Sequence, residues 1–143
     1  MDTAFTLYNE PDVFDLSFNN DILTLTIFEN KFTDESSQKL IDNIDLFHKI
    51  CEKYNKKFYS LVDLTNASLL NVHNYIYYAP SITKYLNSQE EFLIKHLFGT
   101  LYVINSNIVK NTLNSLLSYY TVKTPTNFIL KDEPIDFSFT TQK

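Results

Sequence analysis

The sequence predicts an α/β fold: an N-terminal β-hairpin followed by βα units, forming a mostly parallel five-stranded sheet with helices packed on it. Three observations predict it. Phe14-Asp15-Leu16-Ser17-Phe18 alternates apolar and polar residues, Ile22-Leu23-Thr24-Leu25-Thr26-Ile27-Phe28 is a second strand-forming run, and the turn-forming Asn19-Asn20-Asp21 joins them into a hairpin. Phe58-Tyr59-Ser60-Leu61-Val62 is an apolar run without regular polar alternation, as in a strand buried at the centre of a sheet. After the hairpin, strand-like runs alternate with apolar stripes at helical spacing, the pattern of parallel strands joined by right-handed crossovers.

Residues 1–12 are mixed and end near Pro11, as a loose lead-in or short edge strand would. Thr33 is placed to cap a helix whose first turn holds Asp34 and Glu35. Leu40, Ile44, Phe47, Cys51 and Tyr54 mark its apolar face over about five turns, and Asn55-Lys56-Lys57 ends it. In the central strand that follows, Val62 is expected in the core. Beyond it, Val72, Ile76, Ala79, Ile82 and Leu86 keep one helical face running through Pro80, which predicts one kinked helix or two short ones. Ser88-Gln89-Glu90-Glu91 has the form of a capping box for a further turn or two ending near Gly99. Thr100-Leu101-Tyr102-Val103-Ile104 is the next strand, stopped by Asn105-Ser106-Asn107. Val109, Leu113, Leu116 and Tyr120 mark a helix broken at Thr124-Pro125, and Asn127-Phe128-Ile129-Leu130 is the last strand. Pro134 and the alternating Ile135-Asp136-Phe137-Ser138-Phe139 predict an extended tail over 131–143, outside a core of about 14–130.

The chain of 143 residues is long enough for one domain with a real core. Its apolar runs are too short to span a bilayer, and Met1 to Glu10 carry neither a basic nor an apolar leader segment, so no signal peptide and no transmembrane helix are expected. The single cysteine, Cys51, excludes an internal disulfide and fits a reducing, cytoplasmic setting. On the apolar side of its helix it reads as a buried, inert thiol. The net charge is −5 and every cation is a lysine; without the bidentate fork of arginine and with an acidic balance, no nucleic-acid partner is expected. Gly99 is the only glycine, which excludes a dinucleotide fingerprint and a phosphate-binding loop. His48 and His96 lack metal-ligand spacing to each other and to Cys51, so no metal and no cofactor are expected.

With the elements in place, "FTDESSQKLIDNI", "FYSLVDLTNAS", "GTLYVINSNIVKNTL" and "TPTNFIL" together resemble a STAS domain over roughly residues 14–130. The resemblance is nearest to the STAS-like group placed loosely beside the CRAL-TRIO lipid-transfer domains. It rests on element order and on two strand ends, Asp63-Leu64-Thr65 and Asn105-Ser106. It implies a βα superhelix with strands in near-sequential order and a non-enzymatic role as a regulatory or protein–protein interaction module of the anti-sigma-factor-antagonist type. In the antagonists a serine in an Asp-Ser-Ser/Thr-Gly sequence is phosphorylated. The matching place here, Asn71-Val72-His73-Asn74, has neither hydroxyl nor glycine, so no phosphoserine switch is expected.

Partner or ligand contacts are expected where ligands meet open α/β sheets, at the carboxyl ends of the strands. The candidates after the central strand are Asp63, Thr65, Asn66 and Ser68; those after the next are Asn105, Ser106 and Asn107. For Asp63 the favoured reading is local, as a cap on the next helix or a bonding partner for nearby turn amides. His73 could approach Asp63 as the base half of a hydrolase pair, but no nucleophile elbow accompanies it, and an exposed helix histidine is the simpler reading. Tyr77 and Tyr85 are expected to face outward from their helix as a binding surface, with ordinary packing against neighbouring helices the equal alternative. Two functions follow. The first is an interaction module with a protein partner or self-association as a homodimer. The alternative is a carrier for a lipid or other apolar small molecule, which requires an aromatic-lined cavity between sheet and helices; the chain holds 12 phenylalanines and 10 tyrosines.

Overall fold

In the computed structural model, which describes residues 5–67 and 69–140, six strands form one sheet in the order of the chain. They are β1 (Phe5–Glu10), β2 (Phe14–Asn19), β3 (Ile22–Ile27), β4 (Phe58–Asp63), β5 (Leu97–Ile104) and β6 (Thr126–Leu130). The first three pair antiparallel, and β3 to β6 pair parallel. The sheet is thus mixed and has six strands where five were expected; the added one is β1. Its pattern is hidden by an irregularity between Thr6 and Tyr8, after which Leu7 and Tyr8 both pack against the core. Pro11 stands just past β1, where no ladder N–H is needed, and Asp12 turns the chain with φ 63.

The helices are α1 (Asp34–Tyr54), α2 (Val72–Ser88), α3 (Glu90–His96) and α4 (Asn107–Leu117). Thr33 caps α1, its side chain accepting from the Ser36 amide at 3.0 Å, and Asn55 ends it in the left-handed region. Leu40, Ile44, Phe47 and Cys51 are buried as expected, while Tyr54 in the last turn is exposed under Lys53. α2 runs through Pro80 as one helix, with the proline on its exposed side. Of its expected inner face, Val72, Ala79, Ile82 and Leu86 do face the sheet, joined by Tyr75, while Ile76 is 44% exposed. The expected capping box does not form. Ser88 ends α2 and donates to the Tyr85 carbonyl, and Gln89 reaches His48 instead of capping α3.

All four helices lie on one face of the sheet. On the other, Leu61, Leu101 and Val103 are covered by Phe137 and Phe139 of the C-terminal tail. The tail is irregular and closes in a short 3-10 turn at Ser138–Thr140, so only part of the expected extended tail stays extended. Tyr59 packs against Phe98 at 4.7 Å and against Phe137 at 4.8 Å, both rings tilted. Gly99, expected at a helix end, lies inside β5. A Cβ there would stand 2.5 Å from Thr140 Cγ2 and 2.9 Å from the Pro125 carbonyl oxygen, so glycine is what lets the tail and the α4–β6 connection close on the strand.

The helical layer is uneven. α1 buries seven residues, among them Leu40, Phe47 and Cys51. Among the described residues α2 buries only Thr83 and α4 only Val109, although both present apolar faces to the sheet. Val62, expected in the closed core, is half-buried for the same reason.

Gly99→Ala is expected to destabilise the protein by about 1–3 kcal/mol in urea unfolding, as overpacking does. Adding Thr140→Ala should restore only part of the loss, because the Pro125 carbonyl remains in the way. Wild-type stability in Gly99→Ala alone would contradict this packing.

Candidate functional site

Beneath α2 and α4 the sheet and helices bound two largely apolar pockets of about 190 Å³ and about 210 Å³, each open to the surface along part of its boundary. They share Leu25, Val62, Ala79, Ile82, Leu113 and Leu116 as wall residues, so they lie side by side. This explains the half-buried apolar residues of α2, α4 and Val62: they face a hollow rather than other side chains. The first cavity lies toward the carboxyl edge of the sheet, where Leu64 and Ala67 follow β4 and Val72 and Val109 begin α2 and α4. The second reaches toward α1 and α3 and includes His48, Ser60, Thr100, Tyr102 and Tyr120.

The turns at the carboxyl edge come together as expected, because β4 and β5 are adjacent and parallel with Asp63 in register with Val103. Their polar groups bond mainly to one another. Asp63 Oδ1 accepts from the Thr65 amide at 3.0 Å and from the Thr65 hydroxyl at 2.7 Å. Asn105 Nδ2 donates to the Thr65 carbonyl at 3.2 Å, and Ser106 caps α4 through the Val109 amide. Asn66 and Asn107 are exposed, and Ser68 lies outside the described residues. His73 is exposed on α2. Asn74 ties the start of α2 to the loop before α1 through two bonds with the Phe32 backbone, at 2.9 and 2.8 Å.

Tyr77 is 72% exposed on the outside of α2. Tyr85 is not on that surface. It turns toward α1, donates to Asp45 Oδ1 at 2.8 Å, and stacks on His48 with rings 5.9 Å apart. His48 is 3% exposed and also packs on Phe92 at 4.3 Å. With the Tyr85 proton directed at Asp45, His48 Nδ1 is the donor to Tyr85 Oη and to Gln89 Oε1, each at 3.2 Å. Burial holds the imidazole well below its ordinary value, at about 4; His96 acts in the same direction, and the Gln89 bond and Asp45 charge oppose it. His48 is therefore neutral at ordinary pH.

Sequence reasoning did not find Ser60, Thr100, Tyr102 or the cavity-facing role of His48. Ser60 breaking an otherwise apolar strand was the available signal. A scan of protein-family models, a search of curated proteins and a search of solved structures each return no match to the chain. Among the described residues no helix is long and apolar enough to cross a membrane, and no cluster of three or more histidine, cysteine or acidic side chains could hold a metal ion.

The depressed His48 value makes stability depend on pH. The unfolded histidine takes a proton near pH 6.5 and the folded one near 4, so stability is full above about 6.5 and falls as pH drops toward 4, by on the order of 3 kcal/mol. Asp45, held below its ordinary value by Lys49 and then Tyr85, titrates beneath this window. His48→Gln should flatten the profile between pH 7 and 4 in urea unfolding. An unchanged slope would show that another group carries it.

Proposed function

We propose that the protein binds a small apolar molecule in the paired cavities beneath α2 and α4. The observation that carries this reading is the hollow itself. The apolar residues that pattern as core on α2 and α4 line open volume, and each pocket exceeds the roughly 150 Å³ that admits a benzene-sized guest. Among the described residues only Tyr75, Tyr78 and Thr112 bring polar side chains to the walls of the first cavity. Burial of a ligand's apolar surface there supplies affinity of about 25 cal/mol per Å² before the cost of association. The role is one of binding or carriage in a reducing, cytoplasmic setting, with Cys51 an inert thiol pushed up to about 12 by burial.

A second reading, a STAS-like module that self-associates or docks a protein, is favoured by the adjacent exposure of Ile76 and Tyr77 on the outside of α2. Native mass spectrometry separates the two: an added small-molecule mass supports the carrier, and a dimer lost on Tyr77→Lys supports the module.

The carrier reading is tested with N-phenylnaphthylamine, an uncharged dye that brightens in apolar surroundings. The wild type should bind it. Ala79→Phe and, from the opposite helix, Leu113→Trp fill the volume shared by both cavities and should abolish binding, with melting temperature unchanged or raised because filled cavities stabilise. Wild type that fails to bind the dye, or stable filled variants that bind it as well, would overturn the reading.

A further inference from the structure

The second cavity is lined by hydroxyl groups that the fold leaves unused. Ser60 and Thr100 are register partners on β4 and β5, about 4.8 Å apart across the strands, and Tyr102 follows two residues later on the same face. Thr100 is 8% exposed and Tyr102 stacks on Phe128 at 5.4 Å. Among the described residues no hydrogen bond reaches any of these three hydroxyls. Other polar groups at the walls are occupied: Thr83 donates to the Ala79 carbonyl at 2.9 Å, Thr112 to the Ile108 carbonyl at 3.2 Å, and Tyr78 to Asp34 at 2.8 Å. Among the described residues the one sealed side-chain oxygen without a partner is Thr124 Oγ1, so these three hydroxyls are open to the pocket, where a bound molecule can take up their hydrogen-bonding capacity.

The charge around them narrows the chemistry. Among the described residues no lysine lines either cavity, and the chain contains no arginine. The titratable groups facing the second cavity are His48, Tyr102 and Tyr120, each uncharged at neutral pH; burial pushes both phenols up. A carboxylate or phosphate brought here would be desolvated without a cation to pair with.

We propose that the ligand is an uncharged amphiphile: an apolar chain or ring bearing an alcohol, ketone or ester oxygen, which bonds at Ser60, Thr100 and Tyr102. Its apolar part runs past Ala79 and Ile82 into the first cavity. This rests on the carrier reading above and adds the class of ligand. The hydroxyls can donate to a carbonyl or exchange bonds with an alcohol, and the strands hold them in fixed register.

The test is displacement of N-phenylnaphthylamine at pH 8 by octane, octan-1-ol, octan-2-one and octanoate, in wild type and in Ser60→Ala, Thr100→Val and Tyr102→Phe. The alcohol and the ketone should bind roughly three- to tenfold more weakly to the variants than to wild type, the range expected for one lost hydrogen bond, while octane binds equally or more tightly. In wild type, octanoate should bind far more weakly than octan-1-ol, a comparison that needs no variant. If the dye binds and is lost in Ala79→Phe, yet octanoate matches octan-1-ol or all three variants keep the wild-type ratio of alcohol to alkane, the ligand class is wrong and the cavity stands. If wild type does not bind the dye, both fall.

Discussion

Phe47 of α1 meets Phe58 of β4 edge-on at 5.0 Å and lies tilted on Phe18 of β2 at the same distance. The rest of the structure depends on that contact. It joins the one well-packed helix to both the antiparallel and the parallel parts of the sheet, through three rings that are almost wholly buried. Aromatic pairs of this geometry add about 0.5–1.5 kcal/mol beyond the area they bury. Because β4 is held there, β5 and β6 are placed by register, and the side chains of β4 and β5 that face the helices are aligned along one rigid floor.

The solid half is what permits the hollow half. Volume left unfilled beneath α2 and α4 forfeits contact energy that a filled core would supply, against a usual total stability of roughly 5–15 kcal/mol. A domain of this size tolerates that only where closely packed residues offset it, and here they lie under α1, with the tail sealing the opposite face around Gly99. A ligand that fills the space would recover part of the lost contact energy, so occupancy and stability are linked through one volume.

The sequence shows the layers more clearly than the space between them. Residue spacing marks which faces of α1, α2 and α4 are apolar, and Thr33, Asn55 and Ser106 mark ends that the structure confirms. β1, one of two readings of residues 1–12, is obscured by its irregularity at Thr6/Tyr8, which breaks the period of two on which strand reading depends. The cavities were illegible for a different reason. Ala79, Ile82, Leu113 and Leu116 have the same chemistry whether they touch other side chains or open volume, and only the distance between helix and sheet decides which. The polar turns read well because their bonding is local: Asp63 and Thr65 meet two residues apart. That same locality leaves few of those groups for anything outside the turn.

The division of labour between sheet and helices follows from where the buried residues lie. Ser60, Thr100 and Tyr102 stand on paired strands near the centre of the sheet, where backbone hydrogen bonds on both sides resist displacement. α2 and α4, with one buried residue each among those described, belong to the part of the fold where local opening is least costly. A guest entering beneath these two helices would leave the groups proposed to recognise its oxygen on the hydrogen-bonded centre of the sheet. A site arranged the other way round, with its hydroxyls on α2 and its apolar wall on the strands, would lose their alignment each time the helix shifted to admit a guest.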